Sequence, residues 1–215
     1  MFSFAPTTAS GVADGTVNCG TSGTVTITSN VLTGNTNCVG SVTVPEGVTG
    51  IGYQAFYNRS QVTSITLPSS LLRIENQAFR TSGLSSIIIP ASVTYIGSLS
   101  FSINAQPFTS VTFESLSSIT TISDYAFQYT DFASVIIPAS VTSMGADVFV
   151  SNDMLSSIHF LGNKPGGSTS DISRKADITV YRTSAATGFG PTWLGATVAA
   201  SPASCTKSES ISGGK

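Results

Sequence analysis

Leu84-Ser85-Ser86-Ile87-Ile88-Ile89-Pro90, followed at fixed offsets by Val93, Ile96-Gly97, Ser100 and Phe101, decides the fold, because the same string recurs on both sides of it. Upstream its slots hold Val62, Ile65, Leu67, Pro68, Leu71, Ile74, Ala78 and Phe79, and before them Val39, Val42, Val44, Pro45, Val48, Ile51-Gly52, Ala55 and Phe56. Downstream they hold Phe132, Val135, Ile137, Pro138, Val141, Met144-Gly145, Val148 and Phe149. Between these lies Phe108, Val111, Phe113, Ile119, Ile122, Ala126 and Phe127, with Glu114 in the proline slot and extra residues before Ile119, so that unit should bulge. Leu155-Ser156-Ser157-Ile158-His159-Phe160 opens a sixth strand and then leaves the pattern.

The starts of successive units, Val62, Leu84, Phe108, Phe132 and Leu155, are 22 to 24 residues apart, a period that belongs to stacked repeats. Within each unit the fourth and sixth positions share one face of a strand and point inward, the fifth points outward, and the proline ends the strand by removing a backbone donor. A second apolar pair turns the chain back, and the Ala-Phe pair drops a ring into the interior. No unit buries this face alone. Six of them stacked at about 4.8 Å make a ridge on the order of 29 Å long with a continuous core. The expected fold is a mainly β repeat solenoid, right-handed, with a parallel sheet on one side, short turns and a cap at each end.

The strings "SITLPSSLLRIENQAF" and "SIIIPASVTYIGSLSF" resemble the BspA-like class of leucine-rich repeats, found in bacterial cell-surface and secreted proteins and in some surface proteins of protists. The resemblance covers residues 39–161. It implies a leucine-rich-repeat solenoid and, more loosely, adhesion and protein binding, and it implies no enzyme activity. Glu114 in place of proline, the longer turn after it, and Ser100 and Val148 in the alanine slot depart from the pattern locally.

Outside the repeats the chain divides into a tail (1–17), a hairpin cap (18–38), a C-terminal cap (162–200) and a tail or linker (201–215). Thr24–Thr28 and Val31–Thr33 around Ser29-Asn30 read as a hairpin lying across the first coil. Cys19 and Cys38 flank it. With three cysteines, one histidine and no C-x-x-C, a zinc site is not expected; a Cys19–Cys38 disulfide is the favoured reading and a pair of free buried thiols the alternative. The disulfide implies an oxidising compartment, hence an extracellular or cell-surface location. Downstream, Ile178–Tyr181 reads as one more strand, and Gly188-Phe189-Gly190-Pro191-Thr192-Trp193 resembles the closure of bacterial repeat proteins of this kind, with Trp193 plugging the core. Cys205 is left unpaired.

Charge excludes several function classes. Charged residues are 9% of the chain and the net charge is -2, so nothing here neutralises a row of phosphates or anionic lipid heads, and neither nucleic acid nor membrane insertion is expected. A mean hydropathy of +0.26 argues for folding rather than disorder. No stretch of 18 apolar residues occurs, and the opening MFSFAPTTAS lacks the basic and apolar regions of a signal peptide, so a trimmed form or another export route is expected.

Catalytic constellations are missing from the pattern. His159, the lone histidine, occupies an outward strand position, and the carboxylates Glu46, Glu75, Glu114, Asp124, Asp131, Asp147, Asp153 and Asp171 stand singly in turns, with no enclosed pair for acid-base hydrolysis. No calcium-loop or phosphate-loop motif is present, and no cofactor is expected. Asn58-Arg59-Ser60 is a glycosylation sequon, meaningful in a eukaryotic source. What remains is the outward strand face. Its third position is Ser41, Ser64, Ser86, Ser110, Ser134 and Ser157, and its fifth is Thr43, Thr66, Ile88, Thr112, Ile136 and His159. The hydroxyl ladder reads either as packing along the stack or as a weakly polar binding strip running from Ser64 to His159 and suited to a protein or glycan; Ile88 and Ile136 break the threonine row that ice binding would want. The leading function is therefore non-enzymatic adhesion through this face. The alternative is a self-associating subunit of a coat, filament or virion surface.

Overall fold

Extended runs ended by proline, separated by short apolar pairs, build two kinds of strand in every coil. The computed structural model describes residues 12–167, 177–193 and 196–200. It begins with β1 (Gly15–Asn18), β2 (Thr24–Thr28) and β3 (Val31–Thr36). The repeats follow as a longer and a shorter strand per coil: β4 (Gly40–Thr43) and β5 (Gly50–Ile51), β6 (Val62–Thr66) and β7 (Arg73–Ile74), β8 (Ser86–Ile89) and β9 (Tyr95–Ile96), β10 (Ser110–Phe113) and β11 (Thr121–Ile122), β12 (Ser134–Ile137) and β13 (Ser143–Met144), β14 (Ser157–Phe160) and β15 (Gly166–Gly167). The C-terminal part adds β16 (Thr179–Arg182), β17 (Thr192–Trp193) and β18 (Ala196–Ala200).

The expected solenoid is present, and its sheet is richer than one parallel face. The longer strands pair in parallel as β4-β6, β8-β10 and β12-β14-β16-β18, with β17 antiparallel on β18. The unbroken ladder is the other one, where the short strands β3-β5-β7-β9-β11-β13-β15 run in parallel register and β2 and β1 extend them antiparallel. A third set of bonds joins the turns. In each coil two residues hold left-handed backbone without being glycine, one before the alanine slot (Gln54, Gln77, Leu99, Tyr125, Asp147) and one two residues past the phenylalanine (Asn58, Thr81, Ile103, Tyr129, Ser151). That conformation costs on the order of 1 kcal/mol per residue. Here it aims N–H groups along the stack: Gln77 donates to Ser98 C=O at 2.9 Å, Asn58 to Arg80 C=O at 2.9 Å and Thr81 to Ser102 C=O at 3.0 Å.

Coils approach closely enough to select residue types. At Gly97 an added Cβ would lie 2.5 Å from Asn76 N, and at Gly145 2.3 Å from Asp124 N, which explains the Ile-Gly step in alternate coils. The expected aromatic stack is also present. Phe56, Phe79, Phe101, Phe127 and Phe149 are fully buried, with successive ring centroids 5.3, 5.2, 5.4 and 5.8 Å apart and near-parallel planes. Three residues after each stands a polar side chain, Arg59, Ser82, Asn104, Thr130 or Asn152, and this column satisfies turn carbonyls: Asn152 Nδ2 and Thr130 Oγ1 both donate to Phe127 C=O. The long unit bulges at Leu116, which is 94% exposed, while β10 keeps register with β8.

The caps correct the sequence reading in detail. The hairpin forms around Ser29 (φ 52°) and Asn30 (φ 63°), the paired left-handed geometry that suits right-twisted strands. It does not lie across the first coil: β3 pairs in parallel with β5, so the hairpin prolongs the short-strand ladder while burying Val25, Ile27 and Leu32. Gly15–Val17, assigned to the tail, belong to β1, and Gly166-Gly167 of the C-terminal cap pair with β13. Cys19 and Cys38 are disulfide-bonded with Cα atoms 5.5 Å apart. At the far end Trp193 is buried and packs edge-on against Phe160 at 5.1 Å and Phe189 at 5.5 Å, as expected of a plug. Residues 1–11 and 201–215, with Cys205, lie outside the described residues.

Two outcomes follow from this packing. Phe101→Ala, flanked by rings that the backbone ladders hold apart, should lower the unfolding free energy by about 3–5 kcal/mol in denaturant titration, and an unchanged midpoint would contradict the register. Reducing Cys19–Cys38 should lower stability by about 3 kcal/mol, while peptide mapping of unreduced protein should recover the two cysteines linked.

Candidate binding face

Period-2 alternation turns one side of every long strand outward, and the parallel register then aligns those side chains into two rows. Ser41 pairs with Ser64, Ser86 with Ser110, and Ser134 with Ser157; one pleat on, Thr43 pairs with Thr66, Ile88 with Thr112, and Ile136 with His159. Ser64, Thr66, Ser86, Ser110, Thr112 and Ser134 are exposed and Ser157 is half-buried. Ser64 Oγ donates to Ser41 Oγ at 2.7 Å, so part of the hydroxyl ladder is bonded along the stack. Ile88 and Ile136 are 60% and 41% exposed, among the largest exposed aliphatic side chains in the chain.

Sequence reasoning ended the rows too early. Beyond Phe160, β16 and β18 continue them with Thr179 and Thr197 in the serine row and Tyr181 and Ala199 in the other. The signal was the alternation in Ile178-Thr179-Val180 and Thr197-Val198, unsupported by any proline or aliphatic sixth position.

His159 is the one titratable imidazole on this face, and its surroundings come from the added strand. Its ring stacks on Tyr181 with centroids 4.6 Å apart, Nε2 lies 3.3 Å from Ser157 Oγ, and Nδ1 has no hydrogen-bond partner among the described residues. Burial lowers its proton affinity below the usual histidine value of 6.5. The flanking outward residues, Ser134 and Ile136 on β12 and Thr179 and Tyr181 on β16, bring no opposing charge. Because the folded state then binds fewer protons than the unfolded one, this group costs stability as pH falls below 6.5. Titrated by NMR, the imidazole should ionise below 6.5, and Tyr181→Ala should bring it back toward that value by opening the ring to water.

Four of the single carboxylates, Glu46, Glu75, Glu114 and Asp124, bond to neighbouring groups, and Asp171 lies outside the described residues. Asp124 Oδ1 accepts the Ala146 N–H at 2.7 Å, Glu114 accepts Ala91 N–H at 3.0 Å, and Glu46 accepts from Ser69 N–H at 3.2 Å and its hydroxyl at 3.3 Å, each bond crossing from one coil to its neighbour. Asn76 does the same for Ser98 N–H at 2.9 Å. Glu75 pairs with Arg73 at 2.8 Å, and Arg73 lies 4.1 Å over the Tyr95 ring. Among the described residues no group of three or more His, Cys, Asp or Glu side chains is placed to hold a metal ion, and no helix is long and apolar enough to cross a membrane.

Residues 25–161 match the family profile described as BspA type leucine rich repeat region, in six copies. The match starts inside the hairpin, upstream of Val39. Among solved structures the chain is similar to the pneumococcal vaccine antigen PcpA, with 21% identity over 68% of this chain and 50% of that one and a TM-score of 0.45. It is similar to a leucine rich cell surface protein from Faecalibacterium prausnitzii A2-165, with 22% identity over 75% and 59% and a TM-score of 0.37. A leucine-rich repeat protein from Bacteroides ovatus ATCC 8483 shares 19% identity over 69% and 60%, with a TM-score of 0.29. The chain spans 50–60% of the length of these three proteins. No curated protein sequence matches it.

Proposed function

The chain belongs to the BspA-type leucine-rich-repeat family, and on that premise we propose that it is a non-enzymatic extracellular or cell-surface protein that binds a protein or glycan partner through its strand face, in adhesion. The observation that carries this reading is the strip itself. Apart from His159 no residue in either row is ionisable at neutral pH on β4 to β14, and Ile88 and Ile136 expose apolar area that the interior does not need. An apolar-to-hydroxyl surface repeated from coil to coil is what a solenoid offers a partner. The Cys19–Cys38 disulfide supports an oxidising location. Glu46, Glu114 and Asp124, each accepting an N–H of a neighbouring coil, support a role without acid-base chemistry.

Docking on an uncharged strip is governed by shape and apolar contact, so it should depend weakly on salt. Labelled protein should be screened on arrayed extracellular-matrix proteins and neutral glycans. The double variant Ile88→Arg, Ile136→Arg should bind roughly tenfold or more weakly, with an unchanged melting temperature because both side chains point outward. Full binding by the double variant removes the strand face as the site.

A further inference from the structure

The turns that follow the stacked phenylalanines carry arginine, which the outward rows of the strand face lack. One residue past Phe56 stands Tyr57, 40% exposed, and one residue past Phe79 stands Arg80, half-buried. The hydrogen bond from Asn58 N–H to Arg80 C=O fixes these two turns side by side, and the Arg80 guanidinium sits 6.0 Å from the Tyr57 ring centroid. Asn58 is exposed, and Arg59 adjoins it.

Arg80 is set apart by what it does not touch. Among the described arginines, Arg73 pairs with Glu75, Arg59 donates to Asn35 C=O, and Arg182 donates to Thr183 and Ala186 C=O. Arg80 makes no ion pair and no side-chain hydrogen bond to a described residue; its Nε, like that of Arg59, is enclosed without an acceptor, and what distinguishes it is that its terminal nitrogens also have none. A guanidinium carries five donors in a planar fork, and partial burial without acceptors is unfavourable. The fork matches a carboxylate, which takes two parallel bonds from it.

We propose that Tyr57, Asn58 and Arg80 form a binding site for an acidic sugar, a uronic acid residue of a glycan. Arg80 takes the carboxylate, the Tyr57 ring takes the apolar face of the pyranose, and the Asn58 amide, which donates and accepts, takes ring hydroxyls. This site lies on the turns, is independent of the strand face, and differs from it in being sensitive to salt.

The test uses hyaluronan tetrasaccharide, chitotetraose and a glutamate-rich peptide as probes, with binding to the whole chain followed by NMR. The tetrasaccharide should shift the Tyr57, Asn58 and Arg80 signals, bind more tightly than either other probe, and weaken as salt rises. Arg80→Gln should weaken it by roughly tenfold, and Tyr57→Ser should weaken it with the charge intact, both with native circular dichroism. Arg73→Gln and the double variant Ile88→Arg, Ile136→Arg should bind it as wild type. Absence of tetrasaccharide binding, equal binding of chitotetraose, tighter binding of the peptide, wild-type affinity in Arg80→Gln, or loss in the strand-face variant would each overturn the proposal.

Discussion

No coil of this chain covers its own apolar face; each is closed by the coils before and after it. That mutual burial requires the coils to stay in register, and the register is held by backbone hydrogen bonds along the unbroken short-strand ladder and between left-handed turn residues, with the long strands adding pairs at β4-β6, β8-β10 and β12-β14-β16-β18. The stacked rings at 5.2 to 5.8 Å are a consequence of this spacing. So is glycine in the Ile-Gly step, where the neighbouring backbone leaves no room for a Cβ.

The same constraint accounts for the low charge. In a parallel, in-register stack an outward position has its counterpart in the next coil about 4.8 Å away, and like charges directly opposite are destabilising. Small hydroxyl side chains avoid that repulsion and bond along the row, as Ser64 does to Ser41. Carboxylates are tolerated where they accept an N–H of the next coil, as Glu46, Glu114 and Asp124 do, so the residues that look in the sequence like scattered acids are part of the stacking.

Two surfaces of different chemistry result. The strand face carries two rows of hydroxyl and aliphatic side chains and, apart from His159, no group that is ionisable near neutral pH on β4 to β14. The turns are short and irregular, and there tyrosine and arginine project from neighbouring coils without the like-charge conflict, because Tyr57 is followed in the next coil by Arg80 and not by itself.

The repeat and its inward positions were legible in the sequence, since Ile87, Ile89 and Phe101 state their burial by period alone and the stack follows from repetition. The hairpin turn and the Cys19–Cys38 bond were also readable, because local backbone preference and cysteine count constrain them. Tertiary structure alone decided that the hairpin extends the short-strand ladder, that β16 and β18 prolong the outward rows, and that Tyr181 comes to lie against His159. It alone decided that Leu99 and Ile103 adopt left-handed backbone, against their own preference. The reason is physical: periodicity reports which residues must be hidden, whereas pairing between coils is a contest among backbone hydrogen bonds whose outcome depends on neighbours distant in the chain.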